Sequence, residues 1–568
     1  MSNGCNAQAL GACSHAEGSN TIASGFASHA EGFGTLASND AAHAGGWETT
    51  ASGRISYAEG QDTTASELTT HAEGFNTVAS GETSHAEGRN TQAIGSVSHA
   101  EGESTIANGV FSHAEGLGTT ANGDASHAEG VDTTTNNESA HAEGVGTSAN
   151  AHGSHSEGIR TIAGLTGGDS DSGAHAEGVD TTATGLLGAH AEGRGSSASG
   201  NGSHAEGAGV DLLGNPAPTL ASGIGSHAEG GGTTASGFAA HAEGGAINVL
   251  GLPGPRAQGD FSHAEGTETF SSNFASHAEG IGTTASGVAS HAEGQQTTSS
   301  GPNSHAEGSS TIASFADSHA EGTLTRASGA SSHAEGFDTS TNGFANSHIM
   351  GRFGDANEAN SWFIANGTSS VTRGIGAKWS GSTFNMSIDG IYISGGADYA
   401  EMFEIAAGNP IDVGYFVAMA EGKKIRKANA GDQFILGITS ANSSICGNSA
   451  ELSWQGKYLT DEWGRKKYHE VFMPAVRDNA GNVVIPDRTE IQPVLNPNWN
   501  PNGNYTPRKN RPEWVAVGLL GQMLIRDDGT SQVHGYCRPN NEGIATQAQS
   551  GYFVLERTSA NQILVLFR

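Results

Sequence analysis

Over its first 351 residues the chain has almost no runs of bulky apolar side chains. Small and polar residues alternate there instead, in a pattern that returns. The phrase Ser-His-Ala-Glu-Gly recurs, with its His slot at His15, His29, His43, Tyr57, His71 and onward to His348. Of the 22 intervals between slots, 17 are 14 residues long and the rest are longer. The copy running from Ala275 to Val288 divides into two half-repeats, Ser-His-Ala-Glu-Gly and Thr-x-Ala-Ser-Gly. A period of two puts Ser276 and Ala278 on one face and His277 and Glu279 on the other. Glycine closes each half, where a tight turn with positive φ is expected. Fourteen residues are too few for a helical hairpin but suit two short strands and two turns, and such a unit buries its atoms only against its neighbours. The pattern predicts an all-β solenoid over residues 1–351, a flattened parallel β-roll with Ser, Ala and Thr facing inward. So thin a roll buries little apolar area per residue, and a homotrimer about its long axis is the expected remedy.

The 14-residue periodicity resembles the head of trimeric autotransporter adhesins, a left-handed parallel β-roll with repeats of Ser-Val-Ala-Ile-Gly type. That resemblance implies the left hand and the trimer, with His and Glu standing where that family has Val and Ile.

After Gly351 the period disappears. Residues 352–394 carry Phe353, Trp362, Phe363, Ile364, Trp379, Ile391, Tyr392 and Ile393 and read as a β connector in which chains pack together. Residues 395–568 read as a β-rich α+β domain, long enough for its own core. Strands are expected at 415–419, 434–440, 514–519, 523–526, 552–556 and 562–567, with a polar loop around 496–507.

Charge is unevenly spread. The chain carries −33 overall; 18 acids face 17 bases from Gly395 onward, so the excess belongs to the repeats. An acidic shaft argues against nucleic acid and anionic lipid as partners of this surface. No apolar run is long enough to span a membrane and no signal peptide is read. Cys5, Cys13, Cys446 and Cys537 make no close-spaced metal or redox motif. Synthesis in a bacterial cytoplasm is expected.

Twenty-two of the 25 histidines occupy the repeat slot, and 21 motif glutamates follow two residues later. Three readings stand: imidazole donors meeting carboxylates of adjacent coils or chains, exposed decoration, or a ladder of metal ions. No closed ligand set is visible, so neither a metal nor a cofactor is expected. Pairing of His with Glu predicts that stability is lost mainly below about pH 5. Insertions at 164–172, 210–219 and 247–258 are expected as protruding loops and candidate recognition elements.

The run from Ser394 to Glu404, Ser-Gly-Gly-Ala-Asp-Tyr-Ala-Glu-Met-Phe-Glu, resembles the opening of the glutamic-type autoproteolytic intramolecular chaperone domain (peptidase G2) that ends phage appendage proteins. So do Gly414-Tyr415-Phe416-Val417, Ile435-Leu436-Gly437-Ile438 and the run from Val515 to Gly521. The resemblance implies a domain that drives trimer assembly and then cuts itself off at Ser394-Gly395, using Asp398 with Glu401 or Glu404. It also implies a phage or prophage tail fibre or appendage, with other virion proteins and a host receptor or glycan as partners. From the residues alone, two carboxylates can divide water activation from amine protonation. A Ser394 hydroxyl attacking a neighbouring carbonyl would instead break the bond before it. The alternative function is a trimeric adhesin that does not cut. A glycan-degrading spike lacks support, because Trp47 is the only Trp among the repeats.

Overall fold

The computed structural model describes residues 2–165, 173–211, 213–246, 254–406, 409–450, 456–477, 483–485, 487–503 and 506–568. Contacts divide the chain into two units, Met1–Ser387 and Ile388–Arg568.

The first unit is the parallel β-solenoid. Each repeat contributes a long strand and a short one, as in His113–Leu117 with Thr120–Ala121, followed by His127–Val131 with Thr134–Thr135. Pairing is parallel and in register, so His113 faces His127, Ala114 faces Ala128 and Glu115 faces Glu129. The amides of His113 and Thr120 donate to the carbonyls of Ser126 and Thr133, both at 2.9 Å. As expected, the interior holds only small side chains: Ala114, Thr119 and Ala121 are fully buried and Ser112 nearly so. Ser112 Oγ donates to the Gly109 carbonyl at 2.7 Å and ties its turn. The core is a file of methyls and hydroxyls, and close approach between backbones supplies what large side chains would otherwise fill.

The two glycine slots have different causes. Gly116 has φ of +106°, and a Cβ there would stand 2.1 Å from the Gly130 carbonyl oxygen. Gly81, closing a second half-repeat, needs no positive φ; a Cβ there would stand 1.9 Å from the Gly95 oxygen. The left-handed residue falls two positions later, at Thr83 (φ 55°). The shared expectation of positive φ therefore holds only for the first slot; at Gly81 the constraint is coil-to-coil distance, and other coils place Asn39, Glu67 or Phe315 in the second slot.

Parts of all three insertions (166–172, 212 and 247–253) lie outside the described residues. The coils flanking them keep their register, His155 pairing with His175, His204 with His227 and His241 with His263. Beyond Gly351 the motif is gone but the coil is not. Trp362–Asn366 stacks parallel on His348–Asp355, with Trp362 in the His slot opposite His348. Ile349 and Phe363 are now fully buried, so the last turns hold larger side chains. Ile375–Trp379 then pairs antiparallel with Trp362–Asn366 and covers an edge that would otherwise invite another strand.

The slot side chains form two columns. Imidazoles stack ring on ring, with centroids 4.7 Å apart and planes within 1° between His113 and His127. Tyr57 substitutes within the stack, 4.6 Å from His43. Hydrogen bonding with Glu115 and Glu87 pushes the Glu101 carboxyl up to about 7, and Glu129 is raised to about 7 by Glu115 and Glu143. Glu115, between them, is lowered. Burial in the stack lowers His85, His113, His141, His277 and His291, and brings His333 down to about 4. A ring with a lowered folded pKa loses its stability contribution as pH falls from its unfolded value of about 6.5 toward the folded one. The raised glutamates act oppositely, contributing most at low pH and losing it as pH rises through about 7. Lowered rings outnumber raised carboxyls, so the predicted onset of acid weakening moves up from the carboxylate range.

The second unit is built on a ten-stranded sheet. Its core packs Phe416, Ile438, Ile525, Val554, Ile563 and Val565. The segments 514–519 and 523–526 run as one strand, Trp514–Arg526. Its neighbour Gln562–Phe567 falls where expected. The helical share expected of this domain is reduced, among the described residues, to a single 3-10 turn, Arg508–Asn510. No helix among them is long and apolar enough to cross a membrane.

Two outcomes follow for the solenoid. Gly116→Ala should destabilise it by about 1–3 kcal/mol, whereas Gly245→Ala, with nothing within 4 Å of the added carbon, should be close to neutral in thermal denaturation. The solenoid's melting temperature should begin to fall near pH 6.5; a flat profile down to about pH 4.5 would contradict the stacked-imidazole account.

Candidate functional site

The second unit opens with a bare apolar run, Ile391 and Ile393 being 81% and 82% exposed. Ser394, Gly395 and Gly396 then bend across the segment ending in Ser444. Ser394 Oγ donates to Ser444 Oγ at 2.7 Å, and Ser444 Oγ donates to the Gly396 carbonyl. The Ser444 amide donates to the Asp398 carbonyl at 2.8 Å. The bend is therefore held at both ends by one serine from a distant loop. A side chain at Gly396 would collide with the backbone at Ser443 and Ser444, but one at Gly395 would meet nothing within 4 Å. Around the Ser394–Gly395 bond the chain is tethered yet uncrowded, which is what a reacting peptide bond requires.

Asp398 starts the strand Asp398–Glu404, which pairs antiparallel with Trp514–Arg526 and parallel with Ile445–Gly447. Its side chain is buried, 5% exposed. Gly518 makes room for it, since a Cβ there would stand 2.7 Å from Asp398 Oδ2 and 2.5 Å from Met523 Sδ. Oδ2 is buried without a hydrogen-bond partner. Burial pushes the Asp398 carboxyl up, with hydrogen bonding from Ser440 working the other way. A cleft of about 630 Å³ joins Gly395, Gly396 and Asp398 to Ser440, Gln522 and Arg526. It places a buried carboxyl beside the glycine pair.

The two glutamates sit elsewhere. Strand alternation turns Glu401 to the face opposite Asp398, where Glu401 Oε1 accepts from the Tyr399 hydroxyl at 2.9 Å. Glu404 pairs with Lys424 at 2.7 Å. The fold thus gathers Ser394, Gly395 and Asp398 and brings neither glutamate to them within this chain. It also recruits Ser440, Ser444 and Gly518, which no spacing in the sequence marks, because each reaches the site through sheet pairing from 40 or more residues away.

A carboxyl with a raised folded pKa contributes stability at low pH that is lost as pH rises through that value. Asp398→Asn should therefore raise the melting temperature of the C-terminal unit at neutral pH, and the gain should vanish below about pH 4. Thermal denaturation of the full chain against pH reads this directly, and a variant less stable than the parent at pH 7 would contradict it.

Residues 319–562 match the family model described as Peptidase_G2, IMC autoproteolytic cleavage domain. The chain is 37% identical over 155 residues to the pre-neck appendage protein of Bacillus phage B103, a stretch covering 27% of this chain and 16% of that one. It is 38% identical over 141 residues to the pre-neck appendage protein of Bacillus phage phi29, covering 24% and 15%. The chain thus spans about a sixth of the length of these curated relatives. Among solved structures, the C-terminal fragment of bacteriophage phi29 gene product 12 is 32% identical, with a TM-score of 0.25, over 30% of this chain and all of that one. The pre-mature form of the same product is 15% identical, with a TM-score of 0.36, over 95% of this chain and 67% of the other.

Proposed function

We propose, from the Peptidase_G2 domain that this chain carries, that it is a structural appendage of a phage or prophage particle, a solenoid shaft whose C-terminal unit assists assembly and then cuts itself free between Ser394 and Gly395. The observation that carries this reading is the tethered Ser394–Gly396 bend beside a buried carboxyl, inside the stretch that matches an autoproteolytic family. The cut is a hydrolysis. Water's oxygen bonds the Ser394 carbonyl carbon, the bond to the Gly395 nitrogen breaks, and the new amine leaves with a proton.

Asp398 is the group suited to supply that proton, because burial favours its neutral form. Glu401 is the better second carboxylate, acting as base after a local rearrangement or from a neighbouring copy. Glu404 is the weaker choice, because Lys424 already holds it as an ion pair. Ser394 is less suited to attack for itself, since its hydroxyl is already spent as a donor to Ser444. A homotrimer is the assembly proposed, and the exposed Ile391–Ile393 run offers apolar surface that neighbouring copies would cover. Other virion proteins and a host-surface receptor are its proposed partners, with assembly from the bacterial cytoplasm into the particle.

Freshly made chain should yield fragments 1–394 and 395–568 by intact-mass spectrometry without added protease. Asp398→Asn should slow the cut by about 100-fold or more while leaving the fold intact. Ser394→Ala should still be cut. A parent chain that keeps its full mass after long incubation, though folded and oligomeric, would leave an assembly module alone. A cut before Ser394 would point to serine attack and overturn the role given to Asp398.

A further inference from the structure

Shaft-building needs the small inward residues and the glycines, yet the repeat also carries a histidine and a glutamate that the interior never uses. Parallel stacking gathers these into a composition that the linear sequence hides. Nε2 of His113 lies 3.8 Å from Glu101 Oε1 and 3.8 Å from Glu115 Oε2. Nε2 of His127 lies 3.9 Å from Glu115 Oε1 and 3.9 Å from Glu129 Oε2. The same spacing recurs far along the shaft, with His291 at 3.8 and 3.9 Å from Glu279 and Glu293. Each carboxylate is thus flanked by the imidazoles of two successive coils.

These separations are too long for hydrogen bonds. Nε2 of His113, His127, His155, His175, His291 and others is buried and makes none. An imidazole nitrogen shielded from water, facing a carboxylate and making no hydrogen bond is unusual at a protein surface. With metal–nitrogen and metal–oxygen bonds of about 2.0–2.2 Å, tetrahedral partners stand roughly 3.4 Å apart, so a small rotation of either side chain would bring these atoms, now 3.8–3.9 Å apart, to the spacing of two ligands on one ion. His113, Glu115 and His127 bring their ligand atoms within 4.8 Å of one another, as do His155, Glu157 and His175; three more His-Glu-His groups repeat the arrangement between His175 and His227, and ten other groups of such side chains lie as close. The set survives an insertion, since His155 and His175 are 20 residues apart yet stack at 4.8 Å.

We propose that this face is a linear binding site for divalent transition-metal ions of the zinc class. Each ion is held by Nε2 of two successive slot histidines and the carboxylate between them, with a fourth position left to water or to a group from another copy. Imidazole with carboxylate suits such ions better than calcium or magnesium, which prefer all-oxygen shells. Two parallel rings aim their lone pairs in parallel, so at least one must turn to share an ion. The slot admits a turned ring, because His29 and His43 already stand edge to face at 83°. No closed ligand set is visible in the linear sequence, which makes a metal ladder the least favoured of its three readings; the coil register closes the set from residues one repeat apart.

The test uses the full chain, stripped with chelator, equilibrated with Zn2+ at about pH 7.5, where free imidazole is neutral, then freed of unbound ion by gel filtration. Elemental analysis should find several ions per chain, up to about seven, because neighbouring groups share a ring and only about half fill together. Replacing Glu101, Glu115, Glu129 and Glu143 by Gln should remove about two of them with unchanged circular dichroism, as should His113→Asn with His127→Asn. Co2+ in place of Zn2+ should give the intense visible bands of a low-coordinate, nitrogen-ligated site, a readout that needs no variant to fold. Fewer than about one Zn2+ per chain, uptake indifferent to both sets of substitutions, or a weak Co2+ spectrum typical of all-oxygen octahedral ligation would overturn the proposal.

Discussion

One backbone hydrogen bond, made from the slot residue of each regular coil to a carbonyl 13 residues further on, governs the solenoid. When the His113 amide reaches the Ser126 carbonyl, every position in that coil is placed directly above its equivalent. Interior residues must then be small, because two backbones close on them from opposite sides. Glycine holds the first slot from Gly18 to Gly351, where a Cβ would enter the next coil's carbonyl. Outward residues fall into unbroken columns whatever their chemistry. Asn108, Asn122, Asn136 and Asn150 form one such file, each amide donating to the next at 2.6–2.9 Å.

That constraint explains which parts of the fold were legible. A strict period with alternating small residues leaves few ways to coil, so the strands, the buried Ala and Thr and the parallel register follow from spacing alone. The turns were less legible, because glycine at Gly81 and glycine at Gly116 look alike in sequence yet answer to different requirements. The coil built around Trp362 was hidden for the opposite reason. Its motif has been rewritten in aromatic and aliphatic residues, but the distance from His348 is still one repeat. Only distance carried the signal there.

The candidate site was half legible. Ser394, Gly395 and Asp398 lie within five residues and share a resemblance, so they could be named together. Ser444 and Gly518 act through sheet pairing, the first by holding the bend and the second by leaving space for a carboxyl. Neither role has a local sequence signature, since a serine in a loop and a glycine in a strand are common for many reasons. The placement of Glu401 and Glu404 shows the limit of proximity in sequence. Residues three apart on a strand face opposite ways, and residues six apart on the same side can be claimed by another partner, as Lys424 claims Glu404.

Coils of equal length and register also bear on how a gene of this kind can change. Between His71 and His155 every slot is 14 residues from the next, so removing or duplicating 14 codons there joins two coils of the same register and leaves no seam in the protein. A gain or loss of one whole repeat would make such a step without selection having to repair a junction. Shaft length in a lineage built this way would vary in whole coils, about 4.8 Å at a time, while the C-terminal unit, which has no interchangeable parts, would stay constant in size.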